Sequence, residues 1–333
     1  MKPQIALDLD GSLESMSKTT FALAEALEQI QSLELRQFHS SSKRRSVDEL
    51  RIPRRRWRQR RWRLGRGKAF DKLFPSVNLL HVAGDTLPPT QYIPLVISLD
   101  DLRPLRSRAR MHPRIRDLQR ALNHGATLVV STRTGAHEVG AILRSRRNQI
   151  VTAPPLVLAQ PLVTTGKCLV VNVAGGQDRL LARLPDISAF AKTVNAEILI
   201  IGSKDVNKEI RDKVGKIRLV ARSKAAEALQ RARVVIDISD GARFPSFCVA
   251  ALSAGVPTMA HFSDINFEVL GGSAALVEPE QDFMETLREI WHNDSRRKLM
   301  RAAGIERARD FEPSTVAQQY HTIYRDILRD YSA

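Results

Sequence analysis

"ARVVIDISDGARFPSFCVAALSAGVPTMAHF" runs from Ala232 to Phe262 and reads as one repeating unit. An unbroken apolar run, "ARVVIDIS", leads into acids and small residues. A short helical stretch follows over Cys248–Ala254, then Gly255, then a second apolar run, "PTMAHF". Strand, loop, helix, glycine stop and strand make a βαβ unit. Strands apolar throughout, rather than alternating, suit a parallel sheet covered on both faces.

The same alternation extends outward to both ends of the chain. "IALDLD", "SLELRQFH", "VNLLHVAG", "PLVISLDD", "ATLVVST" and "NQIVTAP" read as strands in the first half. "KCLVVNVAGG", "AEILIIGS", "KIRLVAR", "ARVVIDIS", "PTMAHF" and "AALVEP" follow in the second. Helical patterns lie between them at Thr19–Ile30, Pro113–Asn123, Ala136–Arg147, Ile187–Thr193, Lys224–Arg231 and Cys248–Ala254. The array occurs twice, parted by the proline-rich "APPLVLAQPLVTTGK" near residue 160. The expected architecture is α/β, with two Rossmann-like doubly wound parallel-sheet domains facing a cleft. Their boundaries fall at 1–160 and 161–312, and 313–333 forms a closing amphipathic helix.

The totals agree with two globular domains. The 333 residues exceed one ordinary core, and 43% hydrophobic content excludes a disordered or fibrous chain. Cys168 and Cys248 lack metal-type or CxxC spacing and read as reduced core residues of a cytosolic protein. "MKPQIALDLD" carries acids where a signal peptide needs an apolar run. No stretch approaches the roughly 20 apolar residues of a membrane span. The chain is expected to be cytoplasmic, or peripheral at the inner face of a membrane. Its 52 Lys+Arg against 36 Asp+Glu, a net charge of +16, call for an anionic partner.

One segment concentrates that charge. "RIPRRRWRQRRWRLGRGK", Arg51–Lys68, holds ten basic residues and no acid. Its plain reading is a solvated helix with tryptophans packed on the domain. Alternatively Arg54, Arg55, Arg56, Arg58, Arg60, Arg61 and Arg63 meet anionic lipid phosphates, while Trp57 and Trp62 sit at the interface. Nucleic acid is the least favoured partner, since no recognition motif accompanies the charge.

The first strand raises a different chemistry. In "DLDGSL", Asp8 and Asp10 have the spacing of the nucleophile and proton shuttle of haloacid-dehalogenase-like phosphatases. The acidic pair Asp100–Asp101 precedes the "LVVST" strand, whereas such an enzyme needs a lysine and further acids after it. The phosphatase stays as an alternative.

The second half resembles the donor domain of family-four retaining glycosyltransferases of the GT-B fold. The stretches that carry the resemblance are "ARVVIDIS", "LSAGVPTMA", "FEVLGGSAALVEPEQ" and "RAAGIERARDFEPSTVAQQYHTIYRDIL". "LHVAGDTLPP", "PLVISLDDLRPL", "LVVSTRTGA" and "VTAPPLV" are similar to first-half landmarks in the same order. The resemblance implies sugar transfer from a nucleotide-sugar substrate to a glycan or lipid-linked acceptor, with no cofactor or metal required. It places the diphosphate near Gly175, Gly176 and Arg179, and the base near Val220 and Arg222. Glu268 keeps a family position, bracing a loop or meeting the donor, and Ser246 lies in the sugar-side loop.

Other positions depart from the family. Leu180 stands where a diphosphate-binding lysine is expected, and Ala242 and Ala250 replace the family's two glutamates. Pro245 replaces a glycine, Asp100 a histidine, and "SMSKT" (Ser15–Thr19) a glycine-rich loop, while Asp101, Leu102, Pro104 and Leu105 match. Asp100, Asp101 and Asp240 are the remaining catalytic candidates, and Arg243 could replace the lysine. Two functions therefore stay open: a transferase with an altered donor site, or an inactive homologue acting as a binding module or partner subunit of a glycosyltransferase.

Overall fold

The computed structural model describes residues 2–10, 14–40, 50–64, 66–106, 113–143, 145, 147–202, 217–239, 241–278 and 281–332, with backbone alone at 14–18, 55, 147 and 332. Two compact units emerge, Met1–Leu156 with Pro313–Ala333, and Val157–Glu312. The final helix, Pro313–Ser332, thus belongs to the first unit.

The first unit is built on β1 (Gln4–Asp8), β2 (Glu34–Phe38), β3 (Leu79–Val82), β4 (Leu95–Leu99), β5 (Thr127–Val130) and β6 (Ile150–Thr152). They form one six-stranded sheet in the order β2-β1-β3-β4-β5-β6. Every pairing is parallel, with Ile5 opposite Leu35 on one side and Leu79 on the other. The apolar strands are buried because helices cover them; Leu23, Ala24 and Leu27 pack with Ile5, Leu7, Val316 and Ala317 in one cluster.

A buried polar chain fastens the last helix to this sheet. His81 Nδ1 meets the Tyr324 hydroxyl at 2.6 Å, and Nε2 meets the Ser98 hydroxyl at 2.8 Å. Ser98 Oγ is in turn 3.1 Å from the Tyr320 hydroxyl. Burial pushes His81 down to about 3, so the ring is neutral, with one nitrogen donating and the other accepting.

The basic segment forms the helix Arg55–Arg63. Its two tryptophans part company. Trp57 is 50% exposed with the Arg61 guanidinium 4.7 Å from its ring, and Arg54, Arg56, Arg60 and Arg63 are also exposed. Trp62 is only 2% exposed; its Nε1 donates to the Lys68 carbonyl at 3.2 Å and its ring packs near Phe70. The expectation of an interfacial Trp62 is thereby corrected, because this indole is the anchor of the helix. Arg58 is half-buried and donates to the Pro53 carbonyl at 2.8 Å; the Arg55 side chain lies outside the described residues.

The second unit holds β7 (Cys168–Asn172), β8 (Ile198–Ile201), β9 (Ile217–Val220), β10 (Ala232–Asp237), β11 (Thr258–His261) and β12 (Ala275–Val277). They are again all parallel, in the order β12-β11-β10-β7-β8-β9. One face buries Leu169, Val171, Leu180, Leu184, Ile187, Val234 and Ile236 with Trp291. The other buries Cys168, Val170, Leu199, Val235 and Ala251. Both cysteines are free thiols in the core.

Candidate functional site

Strand order locates the crevice of the second unit. From β7 the chain moves to β8 on one side, and from β10 to β11 on the other, so β7 and β10 are neighbours whose connections diverge. In open α/β sheets a ligand crevice forms outside the carboxyl ends of such a pair. Those ends are Asn172 and Asp237. Asn172 Nδ2 donates to Asp237 Oδ1 at 2.7 Å, and Ser239 Oγ donates to Oδ2 at 2.8 Å. Burial pushes the Asp237 carboxyl up, while hydrogen bonds from Ser239, Asn172 and the Cys248 thiol pull it back. Asp237 is a clamp for the loop that follows β10.

The loop after β7 turns sharply at Gly175, φ 81°, and Gly176 precedes the helix Gln177–Thr193. A Cβ at Gly176 would stand 1.7 Å from the Ile238 carbonyl oxygen, so only glycine lets the two crevice loops touch. The resemblance gave that glycine to phosphate approach; contact between the loops is sufficient reason for it. Arg179, on the first helical turn, is exposed, and its Nη1 donates to the Ser239 carbonyl at 2.8 Å. The loop after β10 thus holds a guanidinium carried on the first turn of the helix that follows the β7 loop, an arrangement suited to anions.

Leu180 does not face this crevice. It has no exposed surface and lies in the core, so its position is not that of a lost phosphate-binding lysine. Arg183, four residues beyond Arg179 and on the same helix face, was missed in the sequence. Its guanidinium lies 5.1 Å from the Phe283 ring. His261, at the end of β11, stacks on the same ring with centroids 5.5 Å apart. Burial, then the charges of Arg179 and Arg183, push His261 down, keeping it neutral at physiological pH. Its Nε2 is buried and meets no hydrogen-bond partner among the described residues.

The other donor-side candidates are dispersed. Val220 ends β9, two strands from β7 and so about 10 Å across the sheet. Arg222 is exposed in the short turn that follows. Arg243 is half-buried in the loop after β10, and Ser246 is the exposed first residue of the helix Ser246–Ser253. Ala242 is 3% exposed and Ala250 half-buried. Glu268 lies on the helix Asp264–Leu270, where its carbonyl accepts from Arg307 Nη2 at 2.8 Å, which ties its backbone into the fold. Asp240 lies outside the described residues.

In the first unit the connections diverge between β1 and β3. Asp8 has no exposed surface, and its Oδ1 accepts from the backbone N–H of Asp10 at 3.1 Å and of Ser40 at 3.0 Å. Burial, then Asp10, push the Asp8 carboxyl up to about 7. It holds a loop and is not exposed for attack on a phosphoryl group. Asp101 is gripped by Arg103, whose Nη2 lies 2.6 Å from Oδ2, and braces the helix Arg103–Arg106. Asp100, half-buried after β4, is pushed up to about 6 by burial and by Asp101. A carboxyl in that range can exchange a proton near neutral pH. Gly11–Leu13 and the side chains of Ser15–Lys18 lie outside the described residues.

No protein-family model matches the chain, and no curated protein matches it in sequence. Solved structures do. A sucrose-phosphate synthase from Thermosynechococcus elongatus superposes with a TM-score of 0.70 at 16% identity, covering 99% of this chain and 100% of the other. WaaG, a glycosyltransferase involved in lipopolysaccharide biosynthesis, gives 0.68 at 12%, covering 96% and 99%. Anabaena Alr3699/HepE, solved with UDP and glucose, gives 0.65 at 12%, covering 98% and 100%.

The fold is GT-B. The GT-B neighbours span essentially the whole of this chain, and neither they nor the buried Asp8 support the phosphatase alternative. Among the described residues of this GT-B chain, no helix is long and apolar enough to cross a membrane, and no cluster of three or more His, Cys, Asp or Glu could hold a metal ion.

Proposed function

We propose that this protein is a glycosyltransferase related to the retaining family-four enzymes, and that its nucleotide-sugar donor binds the second unit. The diphosphate lies at Gly175 and the amino end of the helix Gln177–Thr193, between the guanidiniums of Arg179 and Arg183, with the base toward Val220 and Arg222. Arg183 supplies the second cation that the sequence pattern lacks. Neutral His261 offers Nε2 to the sugar or phosphate edge. The acceptor is a glycan or lipid-linked glycan. The exposed face of Arg55–Arg63, with Trp57 and its arginines, rests on an anionic membrane; sedimentation with anionic but not neutral vesicles, lost in Trp57→Ala, tests this.

The observation that carries the reading is the convergence of two loops, a helix amino end, Arg179 and Arg183 at the carboxyl ends of β7, β10 and β11. UDP is the first nucleotide to test, because the Anabaena neighbour was solved with UDP and glucose. Charge-assisted contacts contribute about 1.5–3 kcal/mol each, so Arg179→Ala and Arg183→Ala should each weaken binding by roughly ten-fold or more. If calorimetry detects no nucleoside diphosphate or nucleotide-sugar binding, the reading fails. A second reading, a non-catalytic homologue supporting an active subunit, is favoured by Ala242 and Ala250 where the family has carboxylates. Donor binding without turnover across a panel of acceptors would select it.

A further inference from the structure

A basic cavity of about 200 Å³ lies at the amino ends of β7, β10 and β11, opposite the crevice. Arg233, Arg297, Lys298 and Arg301 line it, with Asp294 as the acid among its lining residues. Arg233 stands at the start of β10, whereas Asp237 ends the same strand at the crevice, so the two places are separated by roughly 13 Å along the strand. Asp294, Arg297, Lys298 and Arg301 are spaced by three, four and seven residues on the helix Asp294–Ala308 and share one face.

Part of this charge has structural work. Arg297 Nη1 donates to the carbonyls of Ile290, at 2.8 Å, and Trp291, and Arg233 Nη2 donates to Trp291 at 3.2 Å. Both complete the carboxyl end of the helix Phe283–His292. Arg301 Nη1 reaches the Val163 carbonyl at 2.5 Å. Those bonds explain one nitrogen on each arginine, the Arg233 guanidinium also lies 5.0 Å from the Trp291 ring, and Asp294 pairs with Arg297. They do not explain four cations around one hollow. Arg233 Nε is buried without a hydrogen-bond partner among the described residues, and Lys298 is exposed with no ion pair among them. Crowding is felt: burial, then the Arg233 charge, push Arg297 down.

We propose that this cavity is a second anion site, which binds a compact phosphoryl ligand, either inorganic phosphate or a small phosphate monoester. Guanidinium forks match phosphoryl oxygens in pairs, and the charge of the ligand offsets the mutual repulsion of the cluster. The volume lies below the roughly 300 Å³ at which pockets begin to hold drug-sized ligands, which suits a phosphate or a small ester better than a whole nucleotide. The site stands whether or not the crevice takes a nucleotide-sugar.

The test is calorimetric titration of the full chain with inorganic phosphate and with ribose 5-phosphate, repeated on Lys298→Glu, Arg233→Gln and Arg179→Ala. Saturable binding is expected, weakened at least ten-fold in Lys298→Glu and unchanged in Arg179→Ala. Tighter binding of ribose 5-phosphate identifies an ester as the ligand class; equal binding identifies phosphate itself. Lys298 is exposed, so its variant decides the matter even if Arg233→Gln fails to fold. Absence of saturable binding, or binding lost in Arg179→Ala and retained in Lys298→Glu, overturns the proposal.

Discussion

Gly176→Ala is the sharpest probe of the crevice, because one methyl group separates its two loops from collision. The new Cβ would lie 1.7 Å from the Ile238 carbonyl oxygen and 2.8 Å from its carbon, both backbone atoms that no rotamer change can move. The φ of Gly176 is −102°, outside the left-handed region that demands glycine, so the penalty is chiefly one of space. Relief requires the loop after β10 to withdraw by more than an ångström. That loop carries the Ile238 N–H bonded to Asn172 O at 2.9 Å, and the Ser239 carbonyl that holds Arg179. Overpacking against rigid neighbours costs typically 1–3 kcal/mol, and the upper end applies here. At roughly 2–4 °C per kcal/mol for a unit of this size, the second unit should melt about 6–12 °C lower. Gly272→Ala is the control, since a Cβ there meets nothing within 4 Å and should shift stability by under about 0.5 kcal/mol. Differential scanning calorimetry compares the two, and UDP titration of Gly176→Ala should show weakened binding as Arg179 loses its anchor. Equal melting of the two variants would refute the close approach and the loop geometry built on it.

Two further outcomes separate the crevice from the cores. Leu180→Lys should destabilise the second unit by about 4 kcal/mol or more in urea titration, because it buries an unpaired ammonium, with no gain in UDP affinity; a folded variant that binds UDP more tightly would place residue 180 in the crevice. Asp8→Asn keeps the Oδ1 acceptor for both loop amides but removes a carboxyl whose pKa rises from 3.8 unfolded to about 7 folded. Between those values the native wild type holds a proton that the unfolded chain has released, so the stability this group contributes below pH 4 falls as pH rises and is fully lost above about 7. The variant should therefore gain on wild type by about 1.4 kcal/mol per pH unit from pH 4 to 7, read from urea midpoints; parallel pH profiles would contradict the buried, protonated state.

The fold was legible because its strands are short apolar runs bounded by polar residues and glycine, which leaves little else for them to be. Helix limits were less so. A reading that stops helices at proline starts the Gln177–Thr193 helix at Ile187, yet Pro185 lies inside it. The carbonyl that Pro185 leaves without a donor belongs to Leu181, 36% exposed, where water can serve it. Misplacing that start had a consequence: without the first turns, Arg179 and Arg183 cannot be assigned to one face, nor Leu180 and Leu184 to the other.

That single face explains why the site looked poorer in sequence than in space. Matched one position at a time, a missing lysine at 180 removes a cation from the donor site. On a helix, the neighbours of Arg179 are its partners three and four residues on, and Arg183 is one of them. His261 likewise reads as the polar end of a strand until β11 is seen beside β10, with its ring stacked on the same Phe283 that Arg183 approaches. Arg233 and Lys298 are 65 residues apart in the chain, and no local pattern connects them. Charge that is distributed for solubility alone has no reason to converge on hollows. Here it converges at both ends of the strands of the same sheet, around Arg179 at the carboxyl ends and around Arg233 at the amino ends, and each cluster can be weakened independently of the other by a single substitution.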